Sequence, residues 1–185
     1  MVLDIVHYGH PALRTKGRRV ENVAEIRGLV RDMLDTMRRV KGVGLAAQQV
    51  GRPLQLCVID VAGIKDRPSA MWIEGEEVVP ADHMPLVLIN PVVETAGSEE
   101  PGEEGCLSFP GIYSKISRPA RVSVKATDID GQEYTFAASG LLARAVLHEC
   151  DHLSGELFID RMTPKQRNRC ADDLDGLLAE GLGVK

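Results

Sequence analysis

Between Gly140 and Leu153 the chain reads GLLARAVLHECDHL, and this stretch limits the possible folds more than any other. At about 100° per residue, Leu141, Arg144, Ala145, His148 and His152 fall on one side of a helix. Ala143, Val146, Cys150 and Leu153 fall on the other side, which is almost wholly apolar. A helix with such a back must be packed on a core, and its histidines must then face a cleft. His148 and His152 stand at i and i+4, one turn apart, so both rings can reach one ion. Glu149 lies beside them, near the open position of a bound metal, where it can take a proton from water. Cys150, on the packed side, reads as a small buried hydrophobe rather than a ligand.

A packed helix needs something to pack on. The sequence predicts an α+β fold, with antiparallel or mixed β-sheets around this central metal-binding helix and a further helix at each end. One domain over 1–185 suits the length. The N-terminal helix is expected over Val23–Arg39, where Ile26, Leu29, Val30, Met33, Leu34, Met37 and Val40 recur at helical spacing. Gly42 ends it. Strands are expected at Leu54–Val61 and Leu86–Val93. Residues 62–85 read as a surface loop or insertion, and Gly97–Gly105 as a turn-rich connector. Val122, Val124 and Ala126 alternate with polar residues, as do Tyr134, Phe136 and Ala138, so 121–138 reads as a hairpin turning at Asp130-Gly131. Ser139 is the expected cap of the central helix. Thr163 and Pro164 open a last helix with Cys170, Leu174, Leu177 and Leu178 as its apolar stripe.

Composition narrows the classes. A net charge of -5 argues against a nucleic-acid binder that relies on bulk positive charge. No stretch approaches the roughly 20 apolar residues of a membrane span. The N-terminus MVLDIVHYGH lacks the pattern of an export signal, so a cytoplasmic enzyme is expected and the four cysteines are not read as a disulfide framework. His7, His10 and His83 have no ligand-like spacing and are expected to be structural or surface residues.

A catalytic site of the zinc type needs three protein ligands and an open fourth position. Glu156 and Asp160 are available downstream of the histidines, though close to the helix end. The other candidate is Cys106 in Glu104-Gly105-Cys106-Leu107-Ser108, where a thiolate would be a strong ligand and Gly105 permits close backbone approach.

Three segments, in order, together resemble the peptide deformylase family. Gly42-Val43-Gly44-Leu45-Ala46-Ala47-Gln48-Gln49 resembles its first motif, GxGLAAxQ. Glu104-Gly105-Cys106-Leu107-Ser108 resembles the second, EGCLS. His148-Glu149-Cys150-Asp151-His152 resembles the third. Gln48 stands where proline is common in the family, and Leu147 where glutamine is frequent.

This resemblance implies removal of the formyl group from the formyl-methionine of newly made polypeptides. It implies one divalent ion on Cys106, His148 and His152 with water as the fourth ligand, ferrous iron in the cell, and zinc, nickel or cobalt able to substitute. It further implies that Glu149 is the general acid/base. Gln49 and the backbone N–H of Leu107 would hydrogen-bond the formyl oxygen, and Val43, Gly44 and Leu45 would line the peptide as an added strand. Glu104 would bond the far nitrogen of a ligand histidine, and Arg118 would pair with Asp151. In some relatives a basic C-terminal helix docks on the ribosome; here Lys165, Arg167 and Arg169 are followed by Asp172, Asp173, Asp175 and Glu180. Two rival uses of the same residues are an amidase or peptidase that needs no formyl group, and a closed metal-binding module with no turnover.

Overall fold

The structure is a computed structural model that describes residues 1–182, so the last three positions of the expected 1–185 domain lie outside it. The first helix, α1 (Val23–Arg39), has the predicted bounds. Asn22 opens it by accepting the Ala24 N–H, and Ile26, Val30, Met33 and Met37 are buried along one face. Its end is closed by the Gly42 N–H on the Met37 carbonyl (2.9 Å). The left-handed residue of that turn is Lys41 (φ 55°), where glycine is the usual occupant.

Seven strands follow: β1 (Gly44–Ala46), β2 (Leu56–Ile59), β3 (Ser69–Ile73), β4 (Glu76–Val78), β5 (Leu86–Cys106), β6 (Phe109–Thr127) and β7 (Glu133–Ser139). They form one sheet in the order β1-β2-β5-β6-β7-β3-β4, with every named pair antiparallel. Helix α2 (Gly140–Ser154) packs on this sheet, and α3 (Pro164–Arg169) and α4 (Ala171–Gly181) close the chain. Ala143, Val146 and Leu153 are buried in the core that α2 shares with Cys57, Leu88, Val124 and Phe136, and Cys150 packs against that cluster.

Four expectations need correction. Residues 62–85 are not simply a loop, because β3 and β4 form a hairpin there about Glu74-Gly75, and Met71 is buried on its core side. Gly97–Gly105 is not a connector but the outer half of a 21-residue strand paired with β6. Gly97 (φ +83°) sits at a bulge that lets the strand continue, and Pro101 is tolerated because β2 pairs only the inner half of β5. The C-terminal helix is two helices that break at Cys170, although Thr163 caps the first as expected. Ser139 occupies the cap position of α2 without making the bond; Ser69 Oγ takes the Leu142 N–H and the Pro68 carbonyl takes that of Leu141.

Candidate metal centre

Two elements bring the site together. Helix α2 presents Leu141, Arg144, Ala145 and His148, four of the five residues of the face predicted from the wheel, together with Glu149 to a cavity of about 500 Å³; His152, the fifth, lies buried behind the cavity wall. Opposite, β5 ends at Cys106, and Gly42, Val43, Gly44, Gln49 and Leu107 complete the wall. The ligand atoms of Cys106, His148 and His152 all lie within 4.8 Å of one another. Cys106 Sγ is 3.3 Å from His152 Nε2. Tetrahedral ligation with ordinary zinc–sulfur and zinc–nitrogen bonds sets sulfur and nitrogen about 3.5 Å apart, so this donor set fits an ion. The two rings meet edge to face with centroids 5.1 Å apart.

His148 is aimed by its far nitrogen. Nδ1 lies 3.0 Å from Glu104 Oε2, which leaves Nε2 to the ion. Glu104 in turn accepts Arg118 Nε (2.6 Å) and Nη2 (2.9 Å) and Arg144 Nη1 (2.8 Å). Arg118 Nη1 continues to Asp151 (2.8 Å), the expected pair, and Arg161 holds both oxygens of Asp151 at 2.6 Å. Burial alone would raise the Glu104 carboxyl, but hydrogen bonds from His148 and Arg118 outweigh it and hold Glu104 well below the usual carboxylate range. Burial opposes a charged His148, yet its hydrogen bonds to Cys106 and Glu104 raise its pKa. Burial, the largest cause, lowers that of His152.

Glu149 is 4% exposed, and its Oε2 has no hydrogen-bond partner among the described residues. Burial pushes its carboxyl up to about 7. Gly44 makes room for it: a Cβ there would sit 2.8 Å from Glu149 Cδ and 2.9 Å from Cγ. Gly105 is needed for space too, since the Tyr113 ring lies where its Cβ would be. Gln49 is locked by the Ala46 N–H on its Oε1 (2.8 Å), and its Nε2 points at Cys106 Sγ (3.4 Å).

One sequence expectation is placed differently. Leu45 is fully buried in the core with Met33 and Met37, because alternate residues of β1 point to opposite faces, so its side chain does not line the cavity. Val43 and Gly44 do line it. Strand β1 is terminal in the sheet, so one edge has no strand partner among the described residues. His7 and His83 are exposed, and His10 Nδ1 caps the short turn Pro11–Arg14, all apart from the centre. The helical wheel puts Arg144 on the cleft face but gives it no role; its three hydrogen bonds to β5 and β6 were not foreseen.

A family model described as polypeptide deformylase matches residues 2–168. A peptide deformylase of Methylacidiphilum infernorum is 46% identical over 176 residues, 95% of this chain and 92% of that protein. Among solved structures, the peptide deformylase from Synechococcus elongatus in complex with actinonin matches with a TM-score of 0.80 at 39% identity, covering 97% of this chain and 89% of that one. The peptide deformylase from Thermus thermophilus matches with a TM-score of 0.82 at 34% identity, covering 97% and 99%.

Proposed function

The chain belongs to the polypeptide deformylase family, and on that premise we propose that it hydrolyses the formyl group from the formyl-methionine of new polypeptides where Cys106, His148 and His152 meet. One observation carries this reading: three metal-ligating atoms converge, those of Cys106 and His148 from the wall of an open cavity, beside a buried carboxylate with an unpartnered oxygen. An ion held by the three residues would lower the pKa of bound water toward neutrality and polarise the formyl oxygen.

The chain's own groups do the rest. Glu149, poised near neutrality, accepts the water proton and later gives it to the amine as the carbon–nitrogen bond breaks, so formate and a free amino terminus leave. Gln49 Nε2 and the Leu107 N–H donate to the oxygen on which negative charge develops; losing one such donor typically costs about 3 kcal/mol of barrier. The open edge of β1 offers the backbone of Val43, Gly44 and Leu45 to an extended peptide, and Leu45 takes part through its backbone alone. Ferrous iron is the proposed ion in the cell on the family resemblance, and one thiolate with two imidazoles equally suits zinc, cobalt or nickel. A cytoplasmic location is part of the proposal, resting on the family resemblance; separately, among the described residues no helix is long and apolar enough to cross a membrane. A ribosome contact would use exposed Lys165, Arg167 and Arg169 of α3, since α4 turns acidic at Asp172, Asp173 and Asp175.

The test is formate release from a formyl-methionyl tripeptide, run anaerobically. The wild type should release formate, and Glu149→Gln should be at least about 100-fold slower while keeping its ion. A wild type that cleaves unformylated peptides equally well would replace this reading with a general amidase. An undiminished rate in Glu149→Gln would remove that residue from the chemistry.

A further inference from the structure

Arg144 stands one turn before His148 on α2 and reaches across to the hairpin that carries Cys106. Its Nη1 donates to Glu104 Oε1 (2.8 Å) and to the Ile116 carbonyl of β6 (2.8 Å), and its Nη2 donates to the Glu100 carbonyl of β5 (2.7 Å). These bonds tie the helix bearing both histidines to both strands of the hairpin that holds the thiol. The guanidinium is nearly buried, with 12% of the side chain exposed.

Gly102 is what allows this reach. A Cβ on Gly102 would lie 2.6 Å from Arg144 Cζ and 2.7 Å from its Nε and Nη2. The backbone at Gly102 is not in the left-handed region, so space rather than conformation calls for glycine there. Gly102 and Arg144 therefore act as a pair: the guanidinium lies on the strand where the side chain is missing.

The carboxylate they share is the one behind His148. Glu104 Oε1 accepts from Arg118 Nε (2.6 Å) and Arg144 Nη1 (2.8 Å); Oε2 accepts from Arg118 Nη2 (2.9 Å) and meets His148 Nδ1 (3.0 Å). Arg118 fixes Glu104 from β6 and reaches α2 as well, through Asp151 (2.8 Å). Arg144 fixes it from the helix that carries the ring itself, so ring and carboxylate cannot shift independently.

We propose that Arg144 is a positioning residue of the metal centre: seated on Gly102, it locks the Glu104 carboxylate against His148 and pins the Cys106-bearing hairpin to α2. The proposal rests on the assignment of Cys106, His148 and His152 as ligands. Because the Arg144 stem also lines the cavity, lost packing alone would raise KM for the peptide. Lost orientation instead speeds release of the ion, which a merely space-filling role would leave unchanged.

The experiment loads the protein with cobalt(II), follows its visible absorption, and measures release into excess chelator. Wild type, Arg144→Met, Arg144→Lys, Gly102→Ala and the double variant Gly102→Ala/Arg144→Met are compared, with thermal melting as the folding control. Arg144→Met should release cobalt about 10-fold faster or more, the range seen when groups behind metal-ligating histidines are lost. Arg144→Lys should recover part of the difference. Gly102→Ala should match Arg144→Met because it evicts the guanidinium, and the double variant should be no worse than Arg144→Met. Wild-type release rates in both single variants, or a double variant showing the product of the two effects, would overturn the proposal. Arg144→Lys, the gentlest change, decides it if another variant loses its fold: a wild-type rate there overturns it. A wild type that binds no stoichiometric cobalt would overturn the ligand assignment and this proposal together, whereas tight wild-type binding with unaffected variants overturns this proposal alone.

Discussion

Replacing Arg118 with methionine keeps the bulk of the stem and removes the charge that joins two buried carboxylates. Arg118 is 2% exposed and makes three charge-assisted hydrogen bonds, two to Glu104 and one to Asp151. At about 1.5–3 kcal/mol each, simple addition gives about 5–9 kcal/mol. That sum is too large, because Glu104 keeps Arg144 and His148, and Asp151 keeps Arg161. The remainder is the cost of leaving buried carboxylates short of one cation, about 3–5 kcal/mol. For a chain of this size that lowers Tm by about 6–20 °C. Urea titration at neutral pH measures it. Lys125→Met is the control, since that lysine's bond to Glu133 is exposed and worth less than about 1 kcal/mol. The same network predicts a pH dependence. Glu104 sits below its ordinary value, so its stabilising contribution is present above the unfolded pKa near 4.3 and is lost as pH falls through its folded value. The gap between wild type and Arg118→Met should therefore narrow below about pH 4. A loss under about 1 kcal/mol at neutral pH, or a gap that stays constant into acid, would refute the reasoning.

Gly44→Ala should slow formate release by about 100-fold or more with the ion retained, because the new Cβ occupies space held by the Glu149 carboxylate; steady-state kinetics beside metal analysis reads both. The two cysteines near the helix should separate cleanly in the same metal analysis. Cys106→Ala should lose its ion, and Cys150→Ala should keep it, since Cys150 packs against the core cluster that holds Cys57, away from the three ligands.

Much of the centre could be read before any coordinates, because its information is local. The spacing of His148, Glu149 and His152 on a helix with an apolar back implies the cleft face directly; the structure presents His148 and Glu149 to the cavity and brings the buried His152 to Cys106 and His148. The bounds of α1 follow in the same way from Ile26, Val30, Met33 and Met37. What escaped depends on pairing across distance. Gly97, Pro101, Gly102 and Gly105 read as turn residues, yet β6 supplies partners that carry β5 through them. Met71 and Trp72 gave too short an apolar run to mark β3 against the prolines and glycines around it, and its partners on β7 lie more than 60 residues away. Ser139 looked like a cap, but Ser69 from β3 reaches the helix first. Leu45 sits within a cleft motif and points into the core, because a strand sends neighbours to opposite faces. Gln48, fully buried with both side-chain polar atoms unpartnered among the described residues, stands where the family commonly has proline, and nothing in the structure explains it.

X-ray absorption at the metal edge of the zinc-loaded protein bears most directly on the centre itself. The spectrum should show one sulfur at about 2.3 Å, two imidazole nitrogens at about 2.0–2.1 Å and one further light atom that a competing anion can displace. The sulfur should vanish in Cys106→Ala. A shell without sulfur in the wild type, or one closed by a fourth side chain that no anion displaces, would contradict it.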